Sequence, residues 1–439
     1  MKAVARLTTP ARPTLRAVAV LILCALSFGA GGATAKERDA ERGGDGERRG
    51  LGLSRAVAEK LVAANAVLQK DAFDQALAIV DQVAKRRNLK PPELAQVHRF
   101  RGYIFVNKGM TEQAAEELRL SLDQHAFDRS TEQVTTYSLA QIYTQLGRYD
   151  RALELIDGWF ASVESPPAEA YYLKAMILVQ QEKFRDALAP AKTAIEMSAA
   201  PRESWIQLLA AIYIELRDYP SVAATLERLI ELSPNKKQYW VQLAAVQHHL
   251  ERDAKAAATL RLADQGELLN EDREFRQLAR LLFLREQPYQ CAKLVERAVN
   301  AGVVKADAET YRLMSNCYLA ARENEKALEP LAKAAELAPD GEMYLLLGQM
   351  HLQRERFEPA LDALQKALAK SKPERRGSAQ LLIGVAQLGS EHFDAAERAF
   401  RAARSDEKVR RAAESYLKFL DEQRARRVGQ EVLQTASRD

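Results

Sequence analysis

From Ser54 onward, apolar residues recur at intervals of three and four, broken every 12–17 residues or so by a short polar or glycine-bearing stretch, the pattern of amphipathic helices joined by tight turns. No stretch alternates residue by residue as a half-buried strand would. The stretch Leu139 to Ala152, LAQIYTQLGRYDRA, shows the unit most plainly. Leu139, Ala140 and Tyr143 lie on one helical face, Gly147 offers a turn, and Tyr149 and Ala152 begin a return helix. The small residue of that return helix recurs as Ala76, Ala114, Ala152, Ala187, Val222, Ala256, Cys291, Ala327, Ala360 and Ala396, at spacings between 33 and 38 residues. Phe73, Tyr149, Phe184, Tyr219, Phe357 and Phe393 stand three positions before it, and Thr111, Asp253 and Asn324 replace the aromatic. The pattern predicts ten helical hairpins, with the three lacking the aromatic packing less well on their own.

A Leu-small-x-x-aromatic helix, a Gly-x-Tyr-x-x-Ala turn and this period together resemble the tetratricopeptide repeat. The resemblance implies an all-α fold, an α-solenoid wound as a right-handed superhelix, in which stacked hairpins bury faces that none can bury alone. The expected organisation is a leader over 1–35, a charged disordered linker over 36–53, a solenoid over 54–405, a capping helix over 406–427 and a frayed tail over 428–439. Pro234 and Pro339 fall where a helix must stop between repeats.

Composition changes the picture mainly at the N-terminus. Lys2, Arg6, Arg12 and Arg16 precede an apolar run from Ala17 to Ala30, and Ala33-Thr34-Ala35 offers a cleavage site, the pattern of a secretory signal. The alternative is an uncleaved membrane anchor. An exported chain from a double-membraned cell would be periplasmic. The leader carries four of the 64 basic residues and no acidic one, so the formal charge of +4 belongs to it, and the remainder balances 60 against 60. A balanced chain has no overall nucleic-acid footprint. Cys291 and Cys317 remain after the leader; they are readable as two buried thiols or, in an oxidising compartment, as a disulfide between adjacent repeats.

No phosphate loop, dinucleotide fingerprint, nucleophile elbow or zinc-protease motif occurs. Adjacent His248 and His249 point about 100° apart on a helix and make a poor metal pair. The reading is therefore non-catalytic, with no cofactor, metal or small-molecule substrate, and with protein partners. In this repeat class, positions 2, 5, 9 and 12 of the first helix line the concave face. They give Arg99, Tyr103, Tyr137, Gln141, Tyr172 and Met176 in the N-terminal half, then Gln238, Val241, Ala245 and His248. Next come Arg273, Arg276, Arg280 and Phe283, continued by Arg312 and Asn316. The arginines form a stripe. Either it pairs with Glu271, Asp272, Glu274 and Glu309 nearby, or it docks an acidic segment of a partner.

One region goes beyond the generic repeat. Leu232 to Leu243 (LSPNKKQYWVQL) leads to Ala263 to Leu269 (ADQGELL), then Leu278 to Leu281, Pro288 to Ala292 and Ala301 to Lys305. With Arg99 to Tyr103 and the Arg151 to Trp159 helix, this order resembles the periplasmic tetratricopeptide proteins that accompany the second type of TonB energy-transduction system. The resemblance covers roughly residues 54–427, and the Trp240 block and the Gln265-Gly266 turn distinguish it. It implies a scaffold working with TonB, ExbB and ExbD in energised outer-membrane transport of iron–siderophore complexes. The alternative is a generic interaction scaffold in envelope or outer-membrane assembly.

Overall fold

The computed structural model describes residues 52–370 and 376–436, with side chains to residue 425. The expected leader, and the linker up to residue 51, lie outside the described residues. Every regular element among the described residues is a helix, and the chain divides into two compact units at Pro234 and Asn235. The first unit holds α1 (Arg55–Leu68), α2 (Phe73–Ala84), α3 (Pro91–Asn107), α4 (Thr111–Leu122), α5 (Arg129–Gln145), α6 (Tyr149–Ser162), α7 (Ala168–Gln180), α8 (Phe184–Glu196), α9 (Glu203–Glu215) and α10 (Tyr219–Leu232). The second holds α11 (Lys237–His249), α12 (Asp253–Gln265), α13 (Asp272–Leu284), α14 (Pro288–Asn300), α15 (Ala308–Ala320), α16 (Asn324–Leu337), α17 (Glu342–Leu352), α18 (Phe357–Lys370), α19 (Arg376–Gly389), α20 (Phe393–Ala403) and α21 (Arg410–Ala436). Consecutive helices pair as ten hairpins, and within each unit every hairpin packs on the next, which is α-solenoid architecture.

One register governs all ten hairpins. Each second helix begins at the hinge position, and its fourth residue, from Ala76 to Ala396, is completely buried. The helices beginning at Thr111, Asp253 and Asn324 bury Ala114, Ala256 and Ala327 as fully as the others, so stacking compensates for the missing aromatic. Pro288 opens α14 at the same position, where its missing N–H costs nothing. Two residues before each second helix the backbone is left-handed: Asp71, Gly109, Gly147, Glu182, Arg217, Glu251, Glu286, Arg322, Glu355 and Glu391. Glycine fills only two of the ten turns, so closure of the hairpin, not residue preference, imposes this conformation. The turn read at Gln265-Gly266 ends α12; there Gly266 has a φ of −81°, and Glu267 is the left-handed residue.

Nine residues before each second helix stands a small residue on the first helix: Ala64, Gly102, Ala140, Ala175, Ala210, Ala244, Ala279, Ser315, Gly348 and Gly384. All are buried. The facing eighth residue of the second helix is apolar and buried throughout, for example Val80, Leu118, Ile156, Leu260, Leu331 and Phe400. A methyl group added at Gly102 would lie 2.6 Å from Leu118, and one at Gly348 or Gly384 would meet Leu364 or the Phe400 ring as closely.

Three boundaries differ from the sequence reading. Leu53, placed in the linker, packs on the first hydrophobic cluster. Next to it the backbone N–H and hydroxyl of Ser54 donate to buried Glu93 at 3.0 and 2.5 Å. Burial pushes the Glu93 carboxyl up, but the Ser54 and Lys90 hydrogen bonds outweigh it and hold the group below its ordinary value. The last helix begins at Arg410 instead of 406 and runs to Ala436, past the expected end at 427. Residues 428–436 contain good helix formers and a single glycine, so nothing local stops it. Tyr416 stacks on Phe400 with ring centroids 4.8 Å apart, and Leu420 is buried against the same cluster, which fixes this helix as the cap of the second unit.

The open choice at the cysteines is resolved as a disulfide between Cys291 of α14 and Cys317 of α15, with Cα atoms 5.9 Å apart. The reason is positional. Cys291 occupies the small site of a second helix, and Cys317 the tenth site of the next first helix, where other repeats place Ile104, Ile142, Ile177 and Ile212. Both sites are buried in every hairpin from the second onward.

Two outcomes follow for stability. Gly384→Ala overpacks the Phe400 contact by about 1–3 kcal/mol against about 1 kcal/mol gained in helix propensity; denaturant unfolding should show a net loss, whereas Gly158→Ala, where a Cβ meets nothing, should show a gain of about 1 kcal/mol. Reduction of the Cys291–Cys317 bond, which closes a separation of 26 residues, should remove about 3 kcal/mol from the second unit. Thermal melts with and without reductant test this against the double variant Cys291→Ala/Cys317→Ile, whose melting should not respond to reductant.

Candidate functional site

The first helix of each hairpin has one stripe left over after its own partner and the preceding repeat are satisfied, and the sequence-predicted residues fall on those stripes. The structure divides them. In the first unit, Arg99 and Tyr103 of α3 are half-buried, the guanidinium 5.3 Å from the Tyr103 ring. Tyr137 and Gln141 of α5 are also half-buried. The Tyr137 ring lies 5.0 Å from Trp159 of α6. Burial, with Glu169 nearby, pushes the Tyr137 phenol up to about 12 despite its hydrogen bond with Gln141. Tyr172 and Met176 of α7, expected to line an open face, are only 9% and 7% exposed. Tyr172 is covered because Trp205 of α9 stacks on it at 5.4 Å, and its hydroxyl bonds Ser204. These two are packing residues with little surface to offer a partner.

In the second unit, Val241 of α11 packs against the core, whereas Gln238 and His248 are exposed. His248 Nδ1 lies 2.5 Å from Asp253, the first residue of α12. The arginine stripe is largely paired. Arg276, only 15% exposed, donates to Asp272 at 2.7 Å and reaches Asp307 at 3.4 Å. Arg280, 64% exposed, pairs with Glu309 of α15 at 3.3 Å. Glu271 and Glu274 do not serve the stripe; Lys237 of α11 holds them at 2.7 and 3.0 Å. Glu274 also accepts from the N–H groups of Asn270 and Glu271 at the start of α13. Arg273, Arg312 and Asn316 are exposed, and neither Arg273 nor Arg312 makes an ion pair among the described residues. Phe283, at the end of the same stripe, is 40% exposed.

Asp307 ties the stripe to the fold. Its carboxylate caps α15 by accepting from the N–H and hydroxyl of Thr310, both at 2.9 Å, while facing Arg276. Burial raises its pKa, but the Thr310 bonds and Arg276 more than offset this, and the group sits below its ordinary value. Asp272 is lowered in the same way, with Arg276 and the Lys305 N–H opposing burial.

Sequence reasoning missed a cleft of about 570 Å³ in the first unit, between α6, α7 and α8. Leu153, Phe160, Tyr171, Leu178 and Pro190 line it, with Lys174 paired to Asp157 at 2.7 Å across its floor. The one available signal was Pro190 inside α8, which leaves the Ala189–Thr193 side of that helix small. Among the described residues no group of three or more metal-binding side chains converges, and no helix is long and apolar enough to cross a membrane.

The hairpin geometry defines helical-repeat proteins as a class. Residues 313–375 match the family model described as tetratricopeptide repeat, and residues 122–194 match that of anaphase-promoting complex, cyclosome, subunit 3. The tetratricopeptide-repeat match lies in the second unit and the match to anaphase-promoting complex subunit 3 in the first. No curated protein matches the chain. Among solved structures, a tetratricopeptide repeat protein from Parabacteroides merdae is 15% identical, covering 59% of this chain and 99% of its own, with a TM-score of 0.35. The C-terminal part of a TPR repeat-containing protein from Cytophaga hutchinsonii is 12% identical, covering 64% and 95%, with a TM-score of 0.38. MamA from Desulfovibrio magneticus RS-1 is 19% identical, covering 40% and 94%, with a TM-score of 0.33.

Asp307→Asn retains the size of the cap but not its charge. Asparagine caps about as well as aspartate, so the loss is that of the charge toward the helix N-terminus and Arg276, on the order of 0.3–1 kcal/mol at pH 7. The depressed carboxyl contributes fully above the ordinary value near 3.9 and loses that contribution as pH falls through its lower folded value. The gap between wild type and variant in unfolding midpoint should therefore close as pH falls below that ordinary value.

Proposed function

We propose that the chain is a non-catalytic scaffold of the cell envelope, and that the exposed arginine face of its second unit docks an acidic segment of a partner protein. The carrying observation is that Arg273 and Arg312 remain exposed and without an ion pair among the described residues, on the same two helices as partly exposed Phe283 and exposed Asn316. Neighbouring acids occupy Arg276 and Arg280 instead. Exposed guanidinium groups of this kind suit a carboxylate-bearing peptide. The disulfide supports export, because such bonds persist in oxidising compartments, and it agrees with the basic, apolar leader.

The specific partners we propose are the periplasmic parts of a TonB–ExbB–ExbD complex, with energised uptake of iron–siderophore complexes as the process served. This rests on the resemblance around Trp240 and Gly266. The coarser alternative, a scaffold for envelope or outer-membrane assembly, is favoured by the two matched models, which are generic for the repeat.

Photocrosslinking in cells from Phe283 and Asn316, which leaves both arginines in place, separates the two readings. Crosslinks to ExbD- or TonB-type proteins, lost on Arg273→Glu/Arg312→Glu, are the expected result. Unimpaired siderophore-dependent growth of a deletion strain without a paralogue removes the TonB reading. Crosslinks to any partner that survive the double reversal remove the arginine face.

A further inference from the structure

At the end of each first helix, four residues before the second helix begins, seven hairpins carry a polar side chain, among them Gln69, Asn107, Gln145 and Glu215, and two carry Ala320 or Gly389. The seventh hairpin has Leu284 there, 62% exposed, and Phe283 before it is 40% exposed. Leu281 and Leu282 supply the buried side of α13 at this end, so packing within the unit accounts for neither. A helix turns about 100° and rises about 1.5 Å per residue. Arg273, Gln277, Arg280 and Leu284 therefore lie within about 60° of one another, on a strip about 16 Å long with Phe283 on one flank. Arg273, Arg280 and Leu284 are exposed, and Gln277 is half-buried. Arg273 makes no ion pair among the described residues. Arg280 has a solvent-exposed one to Glu309 at 3.3 Å, a contact that a ligand carboxylate can replace at little cost. The strip is cationic over two turns and apolar over the last.

We propose that this strip binds a segment of a partner protein that carries two acidic residues and, beyond them, an apolar one. The inference rests on the proposed docking of an acidic segment at the arginine face and adds the class of sequence recognised there. Charge and burial together select the occupant. A purely acidic segment would leave Leu284 and Phe283 in water. A purely apolar one would cover two guanidinium groups with nothing to accept their hydrogen bonds. Spacing narrows the choice. Arg273 and Arg280 stand about 10 Å apart along the helix axis, and Leu284 lies about 6 Å further on. An extended chain rising about 3.3 Å per residue matches this with acidic residues three positions apart and the apolar residue two positions beyond.

Fluorescence anisotropy with the full chain and two labelled peptides tests it. LSEGSESL carries that spacing in both chain directions, and QSEGSESQ lacks the apolar ends. LSEGSESL should bind about tenfold more tightly. Leu284→Gln, which installs at an exposed site the residue found there in other hairpins, should erase the difference by weakening LSEGSESL alone. Arg273→Glu/Arg280→Glu should abolish binding of both. Equal binding of the two peptides, or a preference that survives Leu284→Gln, overturns the strip and leaves arginine docking standing. Binding indifferent to Arg273→Glu/Arg280→Glu, or no binding by either peptide up to about 1 mM, removes both. A dimer of the free chain that Leu284→Gln dissociates assigns the strip to a second copy and overturns the proposal as well.

Discussion

The structure depends on the distance between the two helices of each hairpin. A small residue on the first helix and a buried apolar one on the second meet at the same register ten times over, from Ala64 with Val80 to Gly384 with Phe400, and the second is larger than alanine in all but the Ala175–Ala191 hairpin. Close approach is what lets a 12- or 13-residue helix, marginal alone, find enough partner surface. It also dictates the turn. With the helices held this near, only a left-handed residue two places before the second helix returns the chain in register, and eight non-glycine residues accept that conformation. Packing energy distributed over the hairpin outweighs a local backbone cost.

The same register explains features that otherwise look separate. The disulfide joins two sites that are buried in the other repeats as well, with two cysteines in place of the small residue and the apolar residue found elsewhere. Burial of Tyr172 has a similar origin. A first-helix stripe is open only as far as the next repeat leaves it open, and Trp205 is large enough to close it. Where the following repeat presents smaller or acidic residues, as α15 does beside α13, the stripe stays accessible but becomes charge-paired.

The fold was legible in the sequence to the level of individual positions, because a small residue under absolute steric constraint recurs at fixed spacing. All ten marker residues from Ala76 to Ala396 are fully buried. What required coordinates was whatever depends on two repeats at once. Most left-handed turn residues were hidden behind Glu, Asp and Arg, which carry no such signal. The site residues divided for the same reason. Position along one helix named Arg273 and Tyr172 equally, but only the neighbouring helices determine that the first is exposed and the second is packed. The acidic partners of Arg276 were half-visible: Asp272 one turn away was readable, Asp307 across the repeat junction was not.

A stacked fold of this kind allots its residues unevenly. The hinge, the left-handed turn, the small–large pair and the inter-repeat sites are consumed by architecture in every hairpin, and their chemistry is accordingly monotonous. Function can differ between repeats only on the first-helix stripes, in loops, and at an end where stacking stops. The end is the most demanding of these, since inter-repeat sites that are apolar for packing become solvent-facing there. The second unit covers its last hairpin with α21, whose Leu420 and Tyr416 close over Phe400 and whose outer surface is charged.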